Sequence, residues 1–273
     1  MIINTNIPSL LATRYLNINM ADMASAMEKL SSGDRINRAA DDPGGLALSE
    51  RMKSRYRGIN TAVTNAQTAI SMTQTADDSL GEIGSLLQRL RDLAVQSSSD
   101  TMSADRAELQ NEADQLVAEI DRLSSITEFN DTKLFNGSYE ISGLSIHVGP
   151  DKDDAIELNF SEVTASELKV SSFDISTQAA AENAIASADS GLSILNTERS
   201  RIGAYQNRLS SAVNYNTAAS VNEQSAYASI RDTDFASEYS SFTRSQILVQ
   251  TGAAMLAQAN LLPQNVFQLI FSK

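Results

Sequence analysis

The feature that most constrains this chain is a repeat in which apolar residues return in alternating steps of three and four over very long stretches. Leu16, Met20, Met23, Met27 and Leu30 form one such seam, and a seam along one side of a helix obliges that helix to find a partner. The run closes at Ser31-Ser32-Gly33, where glycine can adopt the left-handed conformation that ends a helix. Asp42 followed by Pro43 reads as an N-cap and a first helical residue. Ile59, Val63, Ala66, Ile70 and Thr73, then Ala76, Leu80, Ile83, Leu87, Leu90 and Ala94, continue the stepping. One extra step of three between Thr73 and Ala76 predicts local overwinding of the supercoil. A helix from Pro43 to Gln96 would span roughly 80 Å at the usual rise.

A third helix follows a serine-rich loop, with Leu109, Ala113, Leu116, Ile120 and Leu123 on one stripe and Ser103 as its expected N-cap. Asp105 and Glu108 suit the positive end of that helix. Between Phe129 and Phe173 the period falls to two. Leu144, Ile146 and Val148 alternate with Ser145 and His147, and Ile156, Leu158 and Phe160 alternate with Glu157 and Asn159, which predicts a β-hairpin joined through Gly149-Pro150-Asp151. Helix resumes at Ser176, where Ile185, Ala188, Leu192, Leu195, Arg199, Ile202, Gln206, Leu209 and Val213 keep the heptad despite two polar intrusions. The last segment, Phe235 to Leu262, is apolar on more than one face, which implies partners beyond a single neighbour.

Composition narrows the function. The only prolines are Pro8, Pro43, Pro150 and Pro263, so long helices are permitted almost everywhere. Aromatic content is 5% with no tryptophan in 273 residues, which is poor in rings for one compact core. A formal charge of −13 argues against a nucleic-acid surface. There is no cysteine, and His147 is the single histidine, so thiol nucleophiles, disulfides and His/Cys zinc sites are excluded. A lone strand histidine is more often a surface or packing residue than a catalyst. We expect no enzyme, no catalytic or metal site and no cofactor. No apolar run reaches the length of a membrane span, and Met1 to Asn6 lacks a basic region and an apolar signal core.

The elements run symmetrically about the hairpin, and the simplest closure folds the chain back on itself. The expected fold is mainly α: an elongated antiparallel helical rod or coiled-coil bundle with a small β-hairpin region. Three parts are expected: a terminal coiled-coil polymerisation domain of 1–42 plus 231–273, a helical rod domain of 43–137 plus 176–230, and a short hairpin outer region of 138–175. Exposed ends with unsatisfied seams are the design of a subunit completed by its neighbours.

At this point long motifs resemble the bacterial flagellin family. Leu30-Ser31-Ser32-Gly33-Asp34-Arg35-Ile36-Asn37-Arg38-Ala39-Ala40-Asp41-Asp42, continued by Gly45-Leu46-Ala47, resembles its N-terminal signature. Gln246-Ile247-Leu248-Val249-Gln250-Thr251-Gly252, Met255 to Asn260, and Pro263-Gln264-Asn265-Val266 resemble its tail. Phe129-Asn130 and Lys133-Leu134-Phe135-Asn136-Gly137 resemble the turn after its third helix. Pro43-Gly44 departs from the small residues usual after the paired aspartates, and a proline there also occurs in hook-filament junction (hook-associated) proteins of similar architecture, the alternative reading. The segment 138–175 is short beside the outer domains of large flagellins.

The resemblance implies a secreted structural subunit that polymerises with itself into the flagellar filament for motility. It also implies uncleaved type III export, an export chaperone holding Phe235 to Lys273, and hook-associated and cap proteins as partners. The expected polymerisation seam sets Leu16, Met20, Met23, Met27 and Leu30 against the C-terminal helix, with Leu248, Met255 and Leu262, spaced by sevens, and Leu256 as matching residues. Gln88, Arg89 and Leu93, with Glu112 from the third helix, resemble the patch bound by the vertebrate flagellin-sensing Toll-like receptor. Phe267, Leu269 and Ile270 resemble the tail sensed by cytosolic inflammasome receptors.

Overall fold

The computed structural model describes residues 5–99 and 105–271, with the backbone alone over 262–271. Five helices carry most of it: α1 (Ile7–Ser32), α2 (Pro43–Ser97), α3 (Arg106–Ile126), α4 (Gln178–Arg231) and α5 (Phe235–Phe271). Two short antiparallel pairs lie between α3 and α4: β1 (Glu128–Phe129) with β2 (Thr132–Lys133), and β3 (Leu144–His147) with β4 (Ala155–Leu158). The chain is mainly α, and it divides into two compact units, Met1–Ser54 with Asn222–Lys273 (unit 1) and Arg55–Val221 (unit 2).

Helix boundaries follow local chemistry. α1 begins at Asn6, whose side-chain oxygen accepts the Ser9 N–H at 3.2 Å, and ends at Gly33 with φ of 78°. α2 starts at Pro43 because the Asp42 carboxylate accepts the N–H groups of Gly44 and Gly45 at 3.0 and 2.9 Å. α3 corrects an expectation. Its N-cap is Asp105, with no side-chain hydrogen bond, and Ser103 lies outside the described residues.

In unit 2 the buried face of α2 is Ile59, Ala62, Ala66, Ala69, Thr73, Ala76, Leu80, Ile83, Leu87, Leu90 and Ala94. Val63 and Ile70, the residues expected on the seam, are half-buried beside it. With Ala62 and Ala69 in place the steps of three and four never break, so the expected overwinding has no origin. α4 shifts in the same way: Ala188, Leu195, Ile202 and Leu209 are buried with Gly191, Glu198 and Tyr205, not with Leu192, Arg199 and Gln206. Arg199 is exposed and pairs with Asp77 at 2.9 Å, Arg91 pairs with Asp189 at 2.7 Å, and Ser220 donates to Asn60 at 2.7 Å, which fixes α2 and α4 antiparallel. Glu198 is charged yet only 9% exposed, and it is matched by Arg201 one turn on.

The expected hairpin forms, and its register sets Leu144 opposite Leu158 and Ile146 opposite Ile156. Asn65 and Asn216 donate to the His147 and Val148 carbonyls at 3.3 and 2.6 Å and pin it to α2 and α4. β1 and β2 are joined by Asn130 and Asp131, both at positive φ (49° and 61°), as a two-residue primed turn requires.

After the hairpin the chain becomes a buried strap from Phe160 to Ile175, with Val163, Leu168, Val170 and Phe173 in the core. Its backbone is satisfied by side chains of α2 and α3. Asp121 accepts the Ala165 N–H at 2.8 Å, Gln110 accepts from Ile175 N–H at 2.7 Å and donates to the Phe173 carbonyl at 2.8 Å, and Ser97 donates to the Ile175 carbonyl at 2.6 Å. Gly191 faces this strap, where a Cβ would stand 2.8 Å from the Leu168 carbonyl oxygen. The strap 160–175 thus packs into the core of unit 2, whereas Glu140, Ile141, Ser142 and the turn 151–154 are exposed.

Candidate assembly surface

Unit 1 is built on a pairing of α1 with α5. The faces turned toward each other step evenly. On α1 they are Ser9, Ala12, Leu16, Asn19, Met23, Ala26 and Leu30; on α5 they are Glu238, Phe242, Ser245, Val249, Gly252, Leu256 and Ala259. Small residues let the helices approach: a Cβ on Gly252 would lie 3.4 Å from Leu16 Cδ1. Polar groups fix the register at both ends. Asn6 donates to the Ala259 carbonyl at 2.9 Å and Ser9 to Asn260 at 2.8 Å, while Lys29 meets Glu238 at 3.7 Å.

A second polar cluster closes unit 1 at the α1–α2 loop. Arg231, 9% exposed at the end of α4, donates to Asp34 at 3.1 Å, to Glu50 at 3.0 Å and to Ser49 at 3.2 Å. Burial alone would lower its pKa, but the hydrogen bonds to Asp34 and Glu50 outweigh burial and hold it above its ordinary value. Backbone bonds run alongside, from Arg35 N–H to the Arg231 carbonyl at 2.6 Å and from Thr233 N–H to the Gly33 carbonyl at 2.9 Å. Within the loop Asp41 accepts the N–H groups of Asn37 and Arg38 at 3.1 and 2.9 Å, which lowers its pKa. The stretch from Leu30 to Asp42 is therefore a folded clasp around buried Ile36.

The expected seam needs correction. Leu16, Met23 and Leu30 are half-buried between α1 and α5, as is Leu256. Met20 and Met27 are 45% and 49% exposed, and Leu248 and Met255 are 42% and 64% exposed. The physical reason is that Asn19 and Ala26, one position earlier, and Leu256, one position after Met255, take the contact. Leu262 lies outside the residues whose side chains are described. Apolar side chains outside the seam remain uncovered, among them Leu10, Tyr15, Ile18 and Ile247. Only Ala26, Ile36 and Ala259 are buried apolar residues among those described in this unit.

Elsewhere, Arg89 and Glu112 meet at 2.6 Å across α2 and α3, and Gln88 is exposed beside them. Leu93 is fully buried in the core of unit 2, so its expected place on that outward patch is corrected; it points inward with Leu90 and Ala94. His147 is exposed on β3. The side chains of Phe267, Leu269 and Ile270 lie outside those described. Among the described residues no group of three potential metal ligands gathers and no helix is long and apolar enough to cross a membrane.

Sequence reasoning missed Arg231, Asn6 and Gln110. Asn6 carries a readable signal, a capping residue just before Pro8. The other two act on partners distant in sequence.

Comparison with known proteins bears directly on this arrangement. Residues 3–140 match the bacterial flagellin N-terminal helical region and residues 185–270 the bacterial flagellin C-terminal helical region. The chain is 44% identical to a flagellin of Halalkalibacterium halodurans, over 99% of this chain and 100% of the relative. It is 41% identical to a flagellar filament 31.3 kDa core protein of Treponema maltophilum, over 99% and 100%. Among solved structures, a Bacillus cereus flagellin superposes with a TM-score of 0.50 at 29% identity, covering 56% of this chain and 88% of that one. A putative flagellar hook-associated protein from Vibrio parahaemolyticus gives 0.61 at 13% identity, covering 70% and 100%, a likeness of fold alone. Two matched helical regions that contain the α1–α5 pair, together with full-length relatives, show that this chain belongs to the bacterial flagellin family.

Proposed function

We propose that this chain is the structural subunit of the bacterial flagellar filament, assembling with copies of itself through the outward faces of α1 and α5. The observation that carries the reading is the imbalance of unit 1: a narrow intramolecular seam flanked by uncovered Leu, Ile, Tyr and Met side chains. Covering such a face gains about 25 cal/mol per Å² of apolar area. The hook-associated reading is not favoured, because the full-length relatives reported above are a flagellin and a flagellar filament core protein.

Substitution separates the two faces. Met27→Asp places a charge on the outward face, at a cost of several kcal/mol once that face is desolvated, and is expected to leave monomer helicity intact while stopping seeded filament growth seen by electron microscopy. Leu256→Asp charges the seam and is expected to loosen the α1–α5 pair as well. Normal filaments from the Met27→Asp chain would sink the reading.

Family membership supports a reading with further partners. The filament stands outside the cell after flagellar export, with hook-associated and cap proteins at its ends. An export chaperone holds the segment 235–273, whose apolar faces would otherwise associate early; deletion of that segment is expected to abolish co-purification of the chaperone. Gln88, Arg89 and Glu112, without Leu93, form the patch offered to the vertebrate flagellin-sensing receptor, and Arg89→Ala is expected to weaken binding to the receptor ectodomain. Recognition of Phe267, Leu269 and Ile270 by inflammasome receptors rests on resemblance; Leu269→Ala is expected to reduce the cytosolic response.

A further inference from the structure

We propose that Met20, Met27 and Met255 are three separate oxidation sites that together set assembly competence, a proposal that rests on the filament reading above. Their side chains are 45%, 49% and 64% exposed, whereas Met72 is 4% exposed in the core of unit 2. Each adjoins a residue of the α1–α5 seam without belonging to it: Met20 follows Asn19, Met27 follows Ala26, and Met255 precedes Leu256. A methionine so placed carries a flexible, polarizable thioether on the very face that another subunit must cover. The chain contains no cysteine, so methionine sulfur is the only thiol or thioether chemistry it can offer an oxidant.

The reaction partner is a peroxide. The sulfur lone pair attacks one peroxide oxygen, the S–O bond forms as the O–O bond breaks, and the displaced oxygen takes up a proton and leaves as water. Sulfur gives up two electrons and the peroxide accepts them. The product is a polar sulfoxide, which a methionine sulfoxide reductase can return to the thioether. In the free subunit the sulfoxide is solvated and harmless. In the assembled face it must be desolvated without a hydrogen-bond partner, which disfavours assembly. Oxidation therefore acts on the subunit before incorporation, and assembly protects the same sulfurs.

The test treats the full-length monomer with hydrogen peroxide, maps the gain of oxygen by peptide mass spectrometry, and follows growth on seeds made from untreated protein. Met20, Met27 and Met255 are expected to react at least tenfold faster than Met72, and seeded growth to fall at least tenfold. Preassembled filaments are expected to react at these three sites at least tenfold more slowly. The M20L/M27L/M255L chain, which keeps every other methionine, is expected to grow equally well before and after treatment. A chain with norleucine in place of methionine provides the same control with no sulfur anywhere. Normal growth of oxidised wild type, or equal loss of growth in the leucine chain, would overturn the proposal. If untreated wild type forms no filaments, the filament reading fails first and the oxidation sites fall with it.

Discussion

Asp41 illustrates how one carboxylate holds a loop. It accepts the backbone N–H groups of Arg38 and Asn37, and these bonds depress its pKa below the ordinary aspartate value near 3.8. A depressed folded-state pKa means that the contribution is fully present above the unfolded value and is lost as pH falls through the folded one. The loop between α1 and α2 is therefore expected to be insensitive to pH from neutrality down to about 4 and to loosen below that. Amide chemical shifts of Asn37 and Arg38 across an acid titration check this, and Asp41→Asn is expected to flatten the transition. An acid transition unchanged in Asp41→Asn would assign it to another group.

At the scale of the element, α2 and α4 show why size is a poor guide to a seam. Val63 and Ile70 are larger than Ala62 and Ala69, yet the alanines are the buried pair. Closely approaching helices have room for a methyl at those positions and leave the longer chains to fill the flanks. Ala69→Leu is accordingly expected to overpack the interface and destabilise unit 2 by about 1–3 kcal/mol, while Ile70→Leu, which conserves volume on a half-buried flank, costs less than about 1.5 kcal/mol. Urea denaturation of the two variants measures the contrast. A tolerated Ala69→Leu would restore the seam that runs through Ile70.

At the scale of the whole molecule, the two units differ in how much they bury. Unit 2 holds nearly all of the buried apolar side chains among the described residues, packed around Leu80, Leu87, Leu90, Leu195 and Ile202. Unit 1 has α1, 26 residues long with Ala26 as its one buried residue. Helices with so little tertiary support open readily. Amides in 7–32 and 235–261 of the monomer are expected to exchange with solvent at least tenfold faster than those in 80–94 and 188–209, and to slow on assembly. Equal protection in the monomer would remove coupled ordering from the assembly mechanism.

The sequence by itself determined the helices, their caps at Asp42-Pro43 and Gly33, the alternation of the β3–β4 hairpin and the family, because each depends on local period, backbone chemistry or long contiguous motifs. Tertiary structure decided the rest. Neighbouring residues on a helix lie about 100° apart, so periodicity places a stripe only to within one position, and the approach of the partner chose Ala26 over Met27 and Gly191 over Leu192. The same closeness drew Leu93 inward, away from Arg89. The strap from Phe160 to Ile175 forms no strand, although a period of two is expected as far as Phe173, and its buried backbone is satisfied by Gln110, Asp121 and Ser97 from distant helices. Those hydrogen bonds, like the Arg231 cluster, exist only once the fold has brought their partners together.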